Sequence, residues 1–352
     1  MCGFAGYAGE REYDTSVIRK MTDKIRHRGP DSQDAFVEGK VGLGFVRLSI
    51  IDLEGGSQPM FNEDKNLVLI FNGELYNFQD IRKELVEAGH VFTTHTDSEI
   101  LLHGYEEWGK EGLLGRLRGM FAFVIFDRTK KTLFGARDHF GIKPFYYYHK
   151  DGTFLFGSEI KSFLAHPDFQ KELFEEKLPD FMTFGCIPGA ETFFRNVYKL
   201  LPGHYFTYEE GRLTVSTYWE PTFDINENQT IESVADKLDG VLEDSVDKHI
   251  IADVPVCSFL SSGVDSSYVA YELKDKVDLT TFTIDFVEQK YSEAPHAKEL
   301  ADELGIRNIG RKVSADEYFH DAEKIQYYMD EPLANPSANL LYYIANRCAE
   351  DV

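Results

Sequence analysis

The feature that most limits how this chain can fold is a change of hydrophobic rhythm after about residue 205. Before it, short apolar runs are separated by Gly, Pro, Asn and Asp, the spacing of strands and turns. The stretch after Gly119 shows this best: MFAFVIF, the turn DRTKK, TLFGARD, GIKP, FYYYH, the turn KDGT and FLFGS predict a β-meander of at least four strands. Helical patterns interrupt it at Phe78 to Ala88, closed by Gly89, and at Asp97 to Trp108, where Ile100, Leu101, Tyr105 and Trp108 share one face. Strands with helices grouped between them imply a layered α+β domain over residues 2–205. Residues 206–230 are polar, turn-rich and carry Pro221, which suits a linker. From 231 to 352 the order becomes a helix (Ile231 to His249), the strand run VPVCSFL, the loop SSG, the helix DSSYVAYELKD, the strand LTTFTIDF, a helix near Glu293 to Leu304, and an extended piece near Asn308 to Val313. Repeated β-α units predict a doubly wound parallel sheet, an α/β domain.

The charge balance narrows the function classes. Acidic side chains number 60 against 37 basic, a formal charge of −23. That argues against nucleic acid and against anionic membrane surfaces, both of which need clustered Lys and Arg. The longest nearly uncharged apolar run, Gly119 to Phe126, is less than half of the roughly 18 residues a spanning helix needs. The N-terminus MCGFAGYAGE has no basic segment followed by an apolar stretch, so no secretory signal is read and a cytoplasmic location is expected. Cys2, Cys186, Cys257 and Cys348 show neither CxxC nor Cys/His metal spacing, so disulfides and structural zinc are not expected.

Removal of the initiator Met makes Cys2 the N-terminal residue, with its thiol beside a free α-amine whose pKa is about 8. One residue then supplies nucleophile and base. A cysteine at this position is more often an inert small hydrophobe. Its company strengthens the signal: CGFAG at 2–6, RHRGPD at 26–31, RLSIID at 47–52, FNGELYN at 71–77 and TDSE at 96–99. Each has a plainer reading. Arg47 suits a surface charge, Asn72-Gly73 a hairpin turn, and Thr96-x-x-Glu99 a helix capping box that Asp97 supports. Taken together they describe a site for an amino acid with a side-chain amide. Arg47 suits the carboxylate and Glu74 with Asp97 the ammonium, while the Asn72 amide and the Gly73 N–H suit the oxyanion formed by thiolate attack.

On these motifs the N-terminal part resembles the class II glutamine amidotransferase family, an N-terminal-nucleophile fold of two antiparallel sheets between helices, in four α-β-β-α layers. RHRGPD and ARDHFGIKPFYY at 136–147 match as well, and the resemblance covers about 200 residues. It implies that Cys2, Asn72 and Gly73 are catalytic, without a cofactor. Arg47, Leu48, Ser49, Ile50, Ile51, Asn72, Gly73, Glu74 and Asp97 are implied to bind glutamine.

The second motif is FLSSGVDSS, 259–267. Small residues let backbone N–H groups approach an anion, hydroxyls add donors, and a following helix offers its positive end, so a pyrophosphate fits. The plainer reading is a serine-rich loop with Asp265 as helix N-cap. The order of the two halves resembles the glutamine-hydrolysing asparagine synthetases, whose ATP-pyrophosphatase domain carries an SGGxDSS loop. The resemblance implies that Leu260, Ser261, Ser262, Gly263, Asp265, Ser266, Ser267 and Ile284 bind ATP, with Leu260 and Ile284 at the adenine and Asp265 helping to hold Mg²⁺. It also places DEPLANPSA, 330–338, near the aspartate and pyrophosphate sites. Ser262 departs from the motif's first loop glycine, a costly change if that position needs positive φ. Family members normally continue for a few hundred residues, with a further SGEG-like motif, so this chain reads as a fragment with an incomplete sheet that retains only glutaminase activity.

The implied reaction uses glutamine, aspartate and ATP. Cys2 releases ammonia from glutamine, aspartate is activated as β-aspartyl-AMP, and ammonia converts it to asparagine. Other class II amidotransferases, acting on sugar phosphates or phosphoribosyl groups, lack an SxGxDSS loop. A relative that amidates another carboxylate and a degenerate, non-catalytic module remain alternatives. Oligomeric state is not fixed, and a homodimer is open to the chain.

Overall fold

The computed structural model describes every residue except Glu54, Glu227, Gln289, Tyr291, Leu333 and Val352. The chain divides into two units, Met1–Phe223 and Asp224–Val352.

The first unit runs β1 (Gly3–Ala8), α1 (Thr15–Asp23), β2 (Ser32–Glu38), β3 (Val41–Arg47), β4 (Met60–Phe61), β5 (Leu67–Leu75), α2 (Phe78–Glu87), α3 (Glu99–Leu114), β6 (Gly119–Asp127), β7 (Thr132–Arg137), β8 (Tyr146–Lys150), β9 (Thr153–Gly157), α4 (Leu178–Phe184), β10 (Val197–Lys199), β11 (His204–Glu209) and β12 (Arg212–Thr217). These strands form two six-stranded sheets, ordered β10-β8-β9-β1-β3-β2 and β12-β11-β7-β6-β5-β4. Period-2 alternation decides what each face buries. In β1, Phe4 and Ala8 join the core shared with Val68, Ile70, Val124 and Phe206 of the other sheet, whereas Ala5 and Tyr7 pack with Ile18 and Met21 of α1. On the far side, Tyr105 of α3 stacks on Phe134 of β7 with ring centroids 5.7 Å apart. The result is the expected α-β-β-α layering. Phe4, Phe145, Phe154, Phe156 and Phe206 are fully buried between the sheets, each contributing about 1.5–3 kcal/mol by removal from water.

Two expectations change. The meander is not continuous: β6 and β7 pair in one sheet, β8 and β9 in the other, and the segment after Arg137 crosses between them. Local pattern finds strands and cannot assign them to sheets, since both faces of both sheets are apolar. The expected linker over 206–230 is also shorter. His204–Glu209 and Arg212–Thr217 form a hairpin, and β11 extends the second sheet by pairing with β7.

The second unit runs α5 (Ile231–His249), β13 (Cys257–Phe259), α6 (Val264–Leu273), β14 (Thr280–Phe286), α7 (Ala294–Leu304), β15 (Arg307–Val313), α8 (Ala315–His320), α9 (Ala322–Met329) and α10 (Ser337–Asp351). Its strands form the predicted parallel sheet, ordered β13-β14-β15. Val246, Leu260, Ala270, Leu273, Ala297 and Ala301 make its core. No helix among the described residues is long and apolar enough to cross a membrane.

Candidate active site

Strand register brings the first motif residues together. Gly3 pairs with Val46 across β1 and β3, so position 2 meets the chain where it leaves β3 at Arg47. There the Cys2 thiol donates to Leu48 O at 3.3 Å, and Leu48 N–H donates to Cys2 Sγ at 3.4 Å. The RHRGPD segment braces this junction. A Cβ on Gly29 would lie 2.2 Å from the carbonyl carbon of Val46, so only glycine lets the segment lie against the end of β3. Asp31 N–H donates to Arg47 O at 3.0 Å, and Ser49 N–H to Asp31 Oδ2 at 2.7 Å. Arg28 Nε donates to the Cys2 carbonyl at 2.9 Å, and its Nη1 donates to Glu159 Oε1 at 2.9 Å. Burial alone would raise the Glu159 carboxyl, but His27, Lys161 and Arg28 hold it down at about 2.

Arg47 is buried, and its Nη2 donates to Asp52 O at 2.6 Å, which ties the 48–52 segment around the guanidinium. Asn72, Gly73 and Glu74 are not in a turn. They lie inside β5, opposite Ala122, Phe121 and Met120 of β6. Asn72 is 1% exposed, and its Nδ2 is buried with no acceptor among the described residues. A Cβ on Gly73 would sit 2.4 Å from Met120 O, so the strand approaches that carbonyl only with glycine here. Asp97 Oδ2 accepts from Leu75 N–H at 2.9 Å. Burial, reinforced by the like charge of Glu74, pushes its carboxyl up to about 7. The capping box does not form: Ser98 is the N-cap residue of α3, and the Glu99 carboxylate instead accepts from the Thr93 and Thr94 N–H groups at 2.7 and 2.8 Å.

One cleft is lined by Cys2, Arg47, Leu48, Ile50, Ile51, Asn72, Gly73, Glu74 and Asp97. Ser49 does not line it and turns its N–H to Asp31 instead. At the cleft, burial raises the Cys2 thiol and lowers the Met1 α-amine to about 6.

In the second unit the loop after β13 opens α6, with Gly263 as N-cap and Asp265 exposed in the first turn, so Asp265 is not the cap. Leu260, Ser261, Ser266 and Ile284 line a cavity of about 340 Å³ that α10 closes with Leu340, Leu341 and Ile344. Ser262, Gly263, Asp265 and Ser267 do not line it. Ser262 lies outside the left-handed region, so the missing glycine costs no backbone strain. Its N–H donates to Glu293 Oε2 at 3.0 Å, an anionic oxygen at the loop amide. Ser267 Oγ donates to Gly263 O at 2.8 Å, which fixes the first helical turn. Of DEPLANPSA, Leu333 lies outside the described residues. Cys257 and Cys348, far apart in sequence, place their sulfurs 2.9 Å apart.

Residues 1–219 match the family described as a glutamine amidotransferase domain, and residues 237–352 match asparagine synthase. A putative asparagine synthetase [glutamine-hydrolyzing] 2 of Methanocaldococcus jannaschii is 32% identical over 98% of this chain and 71% of its own length. The chain belongs to the glutamine-hydrolysing asparagine synthetase family. Asparagine synthetase [glutamine-hydrolyzing] 1 of Bacillus subtilis is 41% identical over all of this chain, which spans 56% of that protein's length. Amidase chyE of Penicillium rubens is 33% identical over 87% of this chain and 50% of its own length.

This member of the asparagine synthetase family also lines the cleft with Gly56, Gln58, Ser98 and Lys143, to which sequence reasoning gave no role. Lys143 is 4% exposed and lines the cleft wall, carried there by the segment that crosses between the sheets. Asp138 shapes that segment by accepting from the N–H groups of Phe140, Ile142 and Lys143 at 2.9–3.1 Å. Arg137 clamps it through Gly141 O and Lys143 O, both at 2.7 Å. Burial lowers the Lys143 amine. The signal was present in ARDHFGIKPFYY, but no local pattern says that this loop crosses to Cys2.

Proposed function

We propose that this chain hydrolyses glutamine as its part in the glutamine-dependent amidation of aspartate, the synthetase half of which needs the whole protein. In the first half, the free α-amine of Cys2 takes the thiol proton and the sulfur adds to the side-chain amide carbon of glutamine. The Asn72 Nδ2–H and the Gly73 N–H meet the oxyanion, and its collapse expels ammonia with the proton returned by the amine. Water, deprotonated by the same amine, cleaves the thioester to glutamate and restores the thiol. Arg47 takes the substrate carboxylate, and Glu74 with Asp97 the ammonium. The observation that carries this half is the buried Asn72 Nδ2, a donor without an acceptor among the described residues, in the same cleft as Cys2. Leaving such a donor unmatched costs about 1–3 kcal/mol, which an oxyanion would recover.

In the second half, aspartate attacks ATP to give β-aspartyl-AMP and pyrophosphate, and ammonia displaces AMP to give asparagine. The loop Ser261 to Ser267 fits the pyrophosphate because Ser262 N–H already serves a carboxylate oxygen. The exposed Asp265 carboxylate is a hard oxygen donor of the kind Mg²⁺ takes, and the ion would offset phosphate charge there. Leu260 and Ile284 supply apolar contact for the adenine.

The test follows the amide nitrogen. With ¹⁵N-amide glutamine, this chain should release glutamate and its Cys2→Ala variant should not; with ATP, Mg²⁺ and aspartate added, label should reach asparagine in the whole protein. Retained release in Cys2→Ala would sink the first half. A second reading, amidation of a different carboxylate, would be favoured by label in another acceptor and none in asparagine.

A further inference from the structure

Outside the cleft, three side chains from two segments of the first unit converge. His90 follows α2, while His103 and Glu106 lie one turn apart on α3. His90 Nδ1 is 3.2 Å from His103 Nδ1, and Glu106 Oε2 is 3.5 Å from His103 Nδ1 and 3.9 Å from His90 Nδ1. A tetrahedral zinc with bonds of about 2.0–2.2 Å holds its ligand atoms roughly 3.3 Å apart. The three atoms therefore already stand close to the edges of such a polyhedron.

The opposite end of each side chain is also held. Glu106 Oε1 accepts from Asn62 Nδ2 at 2.7 Å, leaving Oε2 toward the histidines. His90 Nε2 faces Glu107 Oε2 at 3.3 Å, and His103 Nε2 faces the buried Glu99 Oε1 at 3.6 Å. Metal-ligating histidines characteristically present their second nitrogen to a carboxylate or carbonyl, which fixes ring orientation and tautomer. Here both do so. Glu63 Oε1, 3.6 Å from His103 Nδ1, adds a second carboxylate oxygen beside the cluster. His103 is 1% exposed, whereas the side chains of Glu106 and Glu63 are 31% and 46% exposed, so the cluster is anchored inside and open to solvent. The sequence reading sought zinc ligands only around cysteine and so passed over this cluster.

We propose that His90, His103 and Glu106, with Glu63 at the open side, bind a divalent transition metal, zinc above all, as a structural staple. The ion would tie the turn after β4, the segment before α3 and α3 itself. It would also brace the glutamine cleft, because Glu99 holds Thr94, Thr94 Oγ1 meets Thr96 Oγ1 at 3.0 Å, and Thr96 with Asp97 forms the cleft wall. The site is independent of the proposed chemistry and contains no residue assigned to it. The rival occupant is a proton, which the surrounding carboxylates would hold on His103 in a purely ionic network.

The full chain, stripped of metal, should take up one zinc per molecule in competition with a chromophoric chelator. Its melting temperature should rise with zinc. Cobalt should give a tetrahedral spectrum without a thiolate charge-transfer band, which separates this site from Cys2 and from Cys257 with Cys348. Glu106→Gln and His90→Ala, both partly exposed positions, should each weaken zinc by more than about a hundredfold and remove the thermal shift; Glu99→Gln should weaken it about 10–100-fold. No stoichiometric uptake, unchanged affinity in both ligand variants, or a thiolate band would overturn the proposal.

Discussion

Arg28 and Glu159, 131 residues apart, are joined by a 2.9 Å hydrogen bond while the same guanidinium holds the carbonyl of Cys2. The backbone at the nucleophile is thereby fixed to the far end of β9. Glu159→Gln would leave buried cations without their anion, and breaking buried pairs costs about 3–5 kcal/mol. The native carboxyl, at about 2, lies below its ordinary 4.5, so its stabilisation is present above pH 4.5 and is lost as pH falls toward 2. Urea titrations from pH 7 to 3 should show wild type losing stability over that window and the variant, already weak, losing less.

Arg47 and Asn72 should fail differently. Removal of a charge-assisted contact worth about 1.5–3 kcal/mol predicts that Arg47→Ala raises KM for glutamine roughly ten- to hundredfold. Asn72→Ala should lower kcat by about a hundredfold or more with little change in KM, because its donor meets only the developing oxyanion. Steady-state glutamate release measures both. Identical effects on both parameters in the two variants would reverse the assignment.

Asp97 sets a pH dependence. Its carboxyl, at about 7, stands above its ordinary 3.8, so the free protein keeps a proton that the unfolded chain has lost between those values. Its contribution to stability therefore falls as pH rises from about 4 to 7, by up to a few kcal/mol. Binding of the glutamine ammonium needs the ionised form, so KM should fall as pH rises through 7. Asp97→Asn should raise KM and flatten both profiles, as thermal melts and kinetics across pH 5–9 would show.

Processing should decide activity. The proposed base is the amine of Cys2, which Met1 occupies with its own peptide bond. Intact-mass analysis should find active protein lacking Met1. Full glutamate release from chain that retains Met1 would mean that another group lining the cleft, such as the Met1 amine or Lys143, takes the thiol proton.

Much of this protein was legible in its sequence because the signals were local. Turn residues and apolar runs located β6 to β9 of the first unit, α2 and α3 began within two residues of their predicted starts, and α5 matched its predicted span. The motifs singled out Cys2, Arg47, Asn72, Gly73, Glu74 and Asp97, which the structure brings to one cleft, but not Gln58 or Lys143, which line it too. Helices α8 to α10 went unread because their patterns are short or partly exposed.

What the chain alone determined was its inventory: strands, helices, a cysteine at position 2 and a small-residue loop before α6. Tertiary structure decided which strands share a sheet, and so that the Asp138–Lys143 segment crosses to Cys2 instead of closing a hairpin. It also decided that Asn72-Gly73 is strand, that Glu99 binds the threonines before α3, and that His90 meets His103. Each is settled by contacts between residues distant in sequence, where register, burial and a shared apolar core choose among alternatives that local propensity leaves equal.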